Sequence, residues 1–232
     1  MKSIILLSIA ILTTSIYAES LAQDGISIEV IDKDGKKDSV DIFRDIPDEC
    51  LSSFKPTPQN MWGEAYASKK VPKECKVSVV TTIGKITPMK LAEGVETYGE
   101  LEVLKFLKEI SNKKDGSMLF IDSRTNSWYK QRTIPGAINV PFTYFKGKEL
   151  SEDGKKALLS FGVTKKGKSY DFSKAKELLI FCNGIWCGQS PKMIKSLLNL
   201  GYPANKIKWY RGGMHSWLSL NLTSTKDKVY KK

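Results

Sequence analysis

Two cysteines, Cys182 and Cys187, stand close together in the stretch LLIFCNGIWCGQSPKMIKSLLNLGY at residues 178–202. Leu178-Leu179-Ile180-Phe181 is the most hydrophobic strand candidate in the chain, and it delivers Cys182 to its carboxyl end. A loop of Asn183, Gly184, Ile185, Trp186, Cys187, Gly188 and Gln189 follows. Ser190-Pro191 then reads as a helix start, with serine as N-cap and proline in the first helical position, and the helix runs through Leu200 to Gly201. In an open α/β sheet, ligands bind at the carboxyl ends of the strands. Loop amides turned inward make an anion cradle there, and the helix end adds partial positive charge. A thiol in that position is expected to have a lowered pKa and to act as a nucleophile, with the cradle stabilising a persulfide or an oxyanion on the sulfur. Gly184 and Gly188 are expected to let the loop adopt left-handed dihedrals. The plain alternative is a buried structural thiol at the end of a core strand, since cysteine is among the most buried residue types.

Other reactive groups are few. His215 is the only histidine, so any Cys-His or Ser-His-Asp pair must use it and a multi-histidine metal site is excluded. Its setting between Gly212-Gly213 and Trp217 favours a structural or surface position over proton transfer. Asp122 and Arg124 end a second strand, where a catalytic reading competes with simple pairing; pairing is favoured, because buried charges persist when paired. The remaining cysteines are Cys50 and Cys75. The preferred pairing is Cys50–Cys75 with Cys182–Cys187, each pair within its own segment, the first closing a proline-rich polar loop where little core can form.

The elements that position these groups fall into two parts. Residues 24–45 read as a hairpin, with Asp34-Gly35 as the turn signal. From Asp48 to Cys75 the prolines 56, 58 and 72 break any long element, and Lys76–Thr82 reads as another strand. After Pro88 the pattern changes. Leu101, Leu104, Phe106, Leu107 and Ile110 lie at helical spacing between Tyr98 and Ser111. Short apolar strands are expected at 117–121, 137–140, 178–181 and 207–210, with a short helix at 128–132. Apolar strands alternating with helices imply an α/β fold, with a central mainly parallel sheet covered by helices on both faces, preceded by a small β-rich N-terminal extension. Aromatic side chains at 128, 129, 209 and 217 are read as core and rim, and Trp186 as lining the pocket mouth.

The opening MKSIILLSIAILTTSIYA has a lysine, an apolar run and small residues up to Ala18, the layout of a secretory signal peptide. The apolar run falls short of the roughly 20 residues a membrane span needs. The expected organisation is a signal peptide at 1–18, an extension at 19–88, one domain at 89–222 and a basic tail at 223–232. Export, in the bacterial sense to the periplasm, suits persistent disulfides. The formal charge of +12 comes mostly from scattered lysines. Without a nucleic-acid module or a basic amphipathic helix, it reads as a solvated surface, so neither nucleic acid nor stable membrane insertion is expected.

Three segments resemble one known family. IDSRTNSWYKQRTIPGAINVPF at 121–142 is similar to the rhodanese segment in which Asp-x-Arg leads to Ile-Pro-Gly-Ala-Ile-Asn-Val-Pro. Cys182 with its loop, Ser190 and the helix to Gly201-Tyr202 resembles the rhodanese active-site loop, and Tyr210-Arg211-Gly212-Gly213-Met214-His215-Ser216-Trp217 resembles the closing Gly-Gly-x-x-x-Trp element. The resemblance implies a rhodanese-like fold and sulfur transfer through a persulfide on Cys182, with no metal or organic cofactor. It also implies a small sulfur-containing donor and a thiol or other nucleophilic acceptor.

Two departures stand out. Many family members place serine six residues after the cysteine with an arginine between them; here Ser190 lies two residues further along and the loop holds no arginine. Arg124 or Arg211 is a substitute anion-binding group. Cys187 inside the loop either forms a disulfide with Cys182 or resolves a persulfide or sulfenate on it. The sulfurtransferase reading therefore stands beside a thiol–disulfide redox or sensing protein using both cysteines, and a non-catalytic binding module serving an exported redox partner. A rhodanese-related phosphatase or arsenate reductase ranks last, because those too rely on a loop arginine.

Overall fold

A computed structural model of the chain describes residues 25–31, 35–43, 85–146, 150–167 and 169–225. The signal-peptide segment, Cys50, Cys75 with their expected disulfide, the strand expected at 76–82 and the tail from 226 lie outside the described residues.

The core is a five-stranded sheet built from β3 (Glu96–Tyr98), β4 (Met118–Asp122), β5 (Ile138–Asn139), β8 (Glu177–Phe181) and β9 (Ile207–Tyr210). Its order is β3-β9-β8-β4-β5, and every pairing is parallel. Leu178 to Phe181 are completely buried at consecutive positions. Because side chains alternate across a strand, this requires cover on both faces of the sheet. The cover is helical: α1 (Glu100–Lys113), α2 (Asn126–Gln131), α3 (Glu152–Ser160), α4 (Gln189–Asn199) and α5 (Gly213–Ser219). The short hairpin β6 (Thr164–Lys166) with β7 (Ser169–Asp171) stands apart from the sheet.

The N-terminal hairpin forms as read, β1 (Ile26–Ile31) pairing antiparallel with β2 (Lys37–Ile42). Ile28, Val30 and Ile42 join the main core. Glu29 N–H donates to Ser111 Oγ at 2.9 Å, fixing the hairpin to α1. In α1 the buried residues are Val103, Leu104, Phe106 and Leu107. Leu101, expected on the apolar face, is instead 51% exposed, because at about 3.6 residues per turn it points away from the buried Val103, Phe106 and Leu107.

A second correction concerns α4. It starts one residue before Ser190, with Gly188 as the cap residue and Pro191 inside the first turn. Ser190 is fully buried rather than capping. The physical reason is the loop: Cys187 N–H bonds back to the Gly184 carbonyl at 2.8 Å, which curls the chain early and turns the serine hydroxyl inward.

Candidate functional site: a two-cysteine loop

β8 lies between β4 and β9, so Cys182 emerges at the middle of the sheet's carboxyl edge. The start of α5 holds the loop from behind. Met214 N–H donates to the Cys182 carbonyl at 3.0 Å, and His215 N–H to the Asn183 carbonyl at 2.9 Å. That approach depends on Gly213, at φ +55, where any Cβ would collide with the Cys182 carbonyl oxygen. The left-handed glycine of the site is thus Gly213. Gly184 and Gly188, expected in that role, are not at positive φ. Gly184 is required for space instead, since a Cβ there would lie 2.8 Å from the Trp186 ring.

The two sulfurs form one unit. Trp209 Nε1–H donates to Ser190 Oγ at 3.0 Å, and Ser190 Oγ–H donates to Cys182 Sγ at 3.0 Å. The Cys182 thiol donates to the Cys187 carbonyl at 3.4 Å. Around Cys187 lie the backbone amides of Asn183 and Gln189 and the charge of Arg124. The thiols titrate in opposite directions. Burial pushes Cys182 well up, with the Cys187 hydrogen bond and charge adding to it and Ser190 partly opposing. The hydrogen bond from Cys182 draws Cys187 down to about 6, against its own burial and with help from the two amides and Arg124. The lowered pKa expected at Cys182 therefore belongs to Cys187: the end of a core strand is too dry for a thiolate, and the cradle of amides closes on the later cysteine. Cys182 and Cys187 are not bridged in the structure.

Asp122 and Arg124 pair as expected, Arg124 Nη2 donating to Asp122 Oδ2 at 2.6 Å and Nε to Oδ1 at 2.9 Å. Thr133 Oγ1–H also donates to Asp122, at 2.8 Å. Arg124 further donates to the Arg132 carbonyl at 2.5 Å and to Asn183 Oδ1 at 3.3 Å. It acts on the loop by bracing Asn183 and by its field. Arg211 lies elsewhere, donating from Nε and Nη2 to the Thr87 carbonyl at 3.0 and 2.7 Å. Thr87 itself donates N–H and Oγ1–H to the Ile185 carbonyl at 2.8 and 2.7 Å. The extension thus straps the crown of the loop. Trp186 stands edge-on to His215 with ring centroids 4.7 Å apart, and the Gln189 Oε1 is buried without a hydrogen-bond partner among the described residues. Sequence reasoning missed Thr87, which carries no motif, and the Trp209–Ser190 relay, whose members were read as core and cap.

The rhodanese-like domain family matches residues 104–220. The chain belongs to this family. Several solved structures are similar to part of this chain at low identity. One, from Bacillus halodurans, is 25% identical over 52% of this chain and 72% of its own, with a TM-score of 0.36. A thiosulfate sulfurtransferase from Pseudomonas aeruginosa is 17% identical over 59% of this chain and 21% of its own, with a TM-score of 0.38. A human single-domain sulfurtransferase is 19% identical over 55% of this chain and 97% of its own, with a TM-score of 0.34. No curated protein matches the rhodanese chain. No helix among the described residues is long and apolar enough to cross a membrane.

Proposed function

We propose that this rhodanese protein is a sulfurtransferase that carries sulfane sulfur as a persulfide on its Cys182/Cys187 loop. A cysteine thiolate attacks the outer sulfur of a donor, the donor's sulfur–sulfur bond breaks, and the remainder leaves with the electron pair. The persulfide then passes its terminal sulfur to a nucleophilic acceptor such as a thiol. The observation that carries this reading is the pair of unbridged cysteines at the carboxyl edge of the sheet, with Ser190 Oγ 3.0 Å from Cys182 Sγ. Inward amides supply stabilisation of the kind an anionic sulfur needs. With no arginine in the loop, these amides and the field of Arg124 take the place of a direct charge partner. Secretion through removal of residues 1–18, and an exported redox partner, belong to the same proposal.

Intact-protein mass spectrometry tests it. Reduced protein exposed to thiosulfate or inorganic polysulfide should gain one sulfur, about 32 Da, removable by a competing thiol. Absence of that gain with both donors would refute sulfur transfer and leave thiol–disulfide exchange, which the adjacent free thiols favour as the second reading.

A further inference from the structure

The resemblance to rhodaneses puts the transferred sulfur on Cys182; the hydrogen-bond directions at the site put it elsewhere. An indole N–H can only donate. Trp209 therefore makes Ser190 Oγ an acceptor, and the single serine proton is spent on Cys182 Sγ. The Cys187 carbonyl oxygen faces the same sulfur at 3.4 Å. An oxygen lone pair aimed at Cys182 favours the S–H form and opposes a thiolate. The Cys182 thiol proton is spent on the Cys187 carbonyl oxygen, and burial together with this acceptor keeps Cys182 in the thiol form. Ser190 does place two donors on Cys182, its hydroxyl and its amide. As residues both are buried, Cys182 at 2% and Cys187 at 7% exposure, but Cys187 borders the exposed Gly188 and so lies nearer the surface.

We propose that Cys187 is the sulfur-accepting thiolate and Cys182 the buried thiol that resolves it, so that a cycle releases sulfide and ends in a Cys182–Cys187 disulfide. This rests on the sulfur-transfer reading above. In the first step the Cys187 thiolate takes the outer sulfur of thiosulfate, and sulfite leaves. In the second, the Cys182 proton passes to the terminal sulfur of the persulfide. The Cys182 sulfur then attacks Cys187 Sγ, the persulfide bond breaks, and hydrosulfide departs with the electron pair. The sulfane sulfur is reduced by two electrons and the two thiols are oxidised by the same two. Reopening the disulfide takes a dithiol reductant, which is the partner class this chemistry implies. The Cys182 sulfur lies 3.4 Å from the Cys187 carbonyl oxygen, which sets the two residues side by side for the second step.

The experiment follows the full-length reduced protein with thiosulfate, and separately with inorganic polysulfide, in the absence of other thiols. Sulfide is assayed alongside intact mass. Peptide mapping after rapid iodoacetamide quenching assigns the sulfur. Wild type should gain about 32 Da on the Cys187 peptide, then release one sulfide per chain and finish about 2 Da below the dithiol. Cys182→Ser should stop at the persulfide without releasing sulfide, and Cys187→Ser should gain no sulfur in the loop. The early quench on wild type gives the assignment even where a variant fails to fold. Sulfur mapped to Cys182, or a stable wild-type persulfide with no sulfide release, overturns this inference while leaving sulfur transfer intact. No sulfur gained by any of the three proteins overturns sulfur transfer itself.

Discussion

Removing the Cys182 thiol should raise the pH at which Cys187 becomes reactive. Cys187 is drawn from an ordinary 9.0 to about 6, and the hydrogen bond from Cys182 is the largest cause. At pH 7 a thiol titrating near 6 is roughly 90% thiolate, against about 1% for one near 9. Thiolate nucleophilicity falls with pKa, by about 16–30-fold over three units at a Brønsted slope of 0.4–0.5. The net advantage at pH 7 is therefore only roughly 3–6-fold, and a rate at one pH discriminates poorly. The midpoint discriminates well. A hydrogen bond to a charged group contributes about 1.5–3 kcal/mol, or roughly 1–2 pH units. Iodoacetamide alkylation of the Cys187 peptide, followed across pH, should rise through about 6 and plateau above it. In Cys182→Ala the midpoint should move up by about 1–2 units, whereas Cys182→Ser, which keeps a donor, should stay near wild type. A Cys187 midpoint in the ordinary thiol range in wild type, or one unmoved in Cys182→Ala, would refute the polarised relay.

Three further outcomes concern the frame around the sulfurs. Ser190→Ala leaves the Trp209 indole N–H without its acceptor inside the core, and should lower stability by about 1–3 kcal/mol in urea unfolding; an unchanged midpoint contradicts that contact. Asp122→Ala strands the buried Arg124 guanidinium and should cost about 3–5 kcal/mol by the same measurement; near-neutral behaviour would mean that Arg124 finds another partner. Gly213→Ala meets both a positive φ and the Cys182 carbonyl, whereas Gly167→Ala meets a positive φ with nothing within 4 Å. The Gly167 change should cost about 1–2 kcal/mol and leave Cys187 alkylation alone, while the Gly213 change should cost more and shift the alkylation profile; equal effects would deny Gly213 its place behind the loop.

Much of the domain was legible because its signals are local. Leu178–Phe181 announces a buried strand through consecutive apolar residues, and all four are completely buried in the sheet. The alternation at 26–30 and the turn at Gly35 announce the first hairpin, whose register runs from Ile26 opposite Ile42 to Ile31 opposite Lys37. Asp122 and Arg124 sit two residues apart, close enough for pairing to be argued from their types. Leu101 escaped because its i, i+3 match to Leu104 lies at the edge of a face that centres on Val103 and Leu107.

By itself the sequence determined which chemistry was available: a strand ending in one cysteine, a second cysteine within the same loop, one histidine, and no loop arginine. Tertiary structure alone decided which thiol is pushed up and which is drawn down. That choice depends on Trp209, brought in by β9, which sets the direction of the Ser190 hydroxyl. It depends on Arg124, arriving from the end of β4, and on a carbonyl turned toward Cys182 by the curl of the loop. Thr87 comes from outside the motifs to hold the loop crown at Ile185. Local propensity encodes strands and turns because their causes lie within a few residues. Proton position is set by donors and acceptors that meet only once the chain has closed, and no spacing within one segment records their orientation.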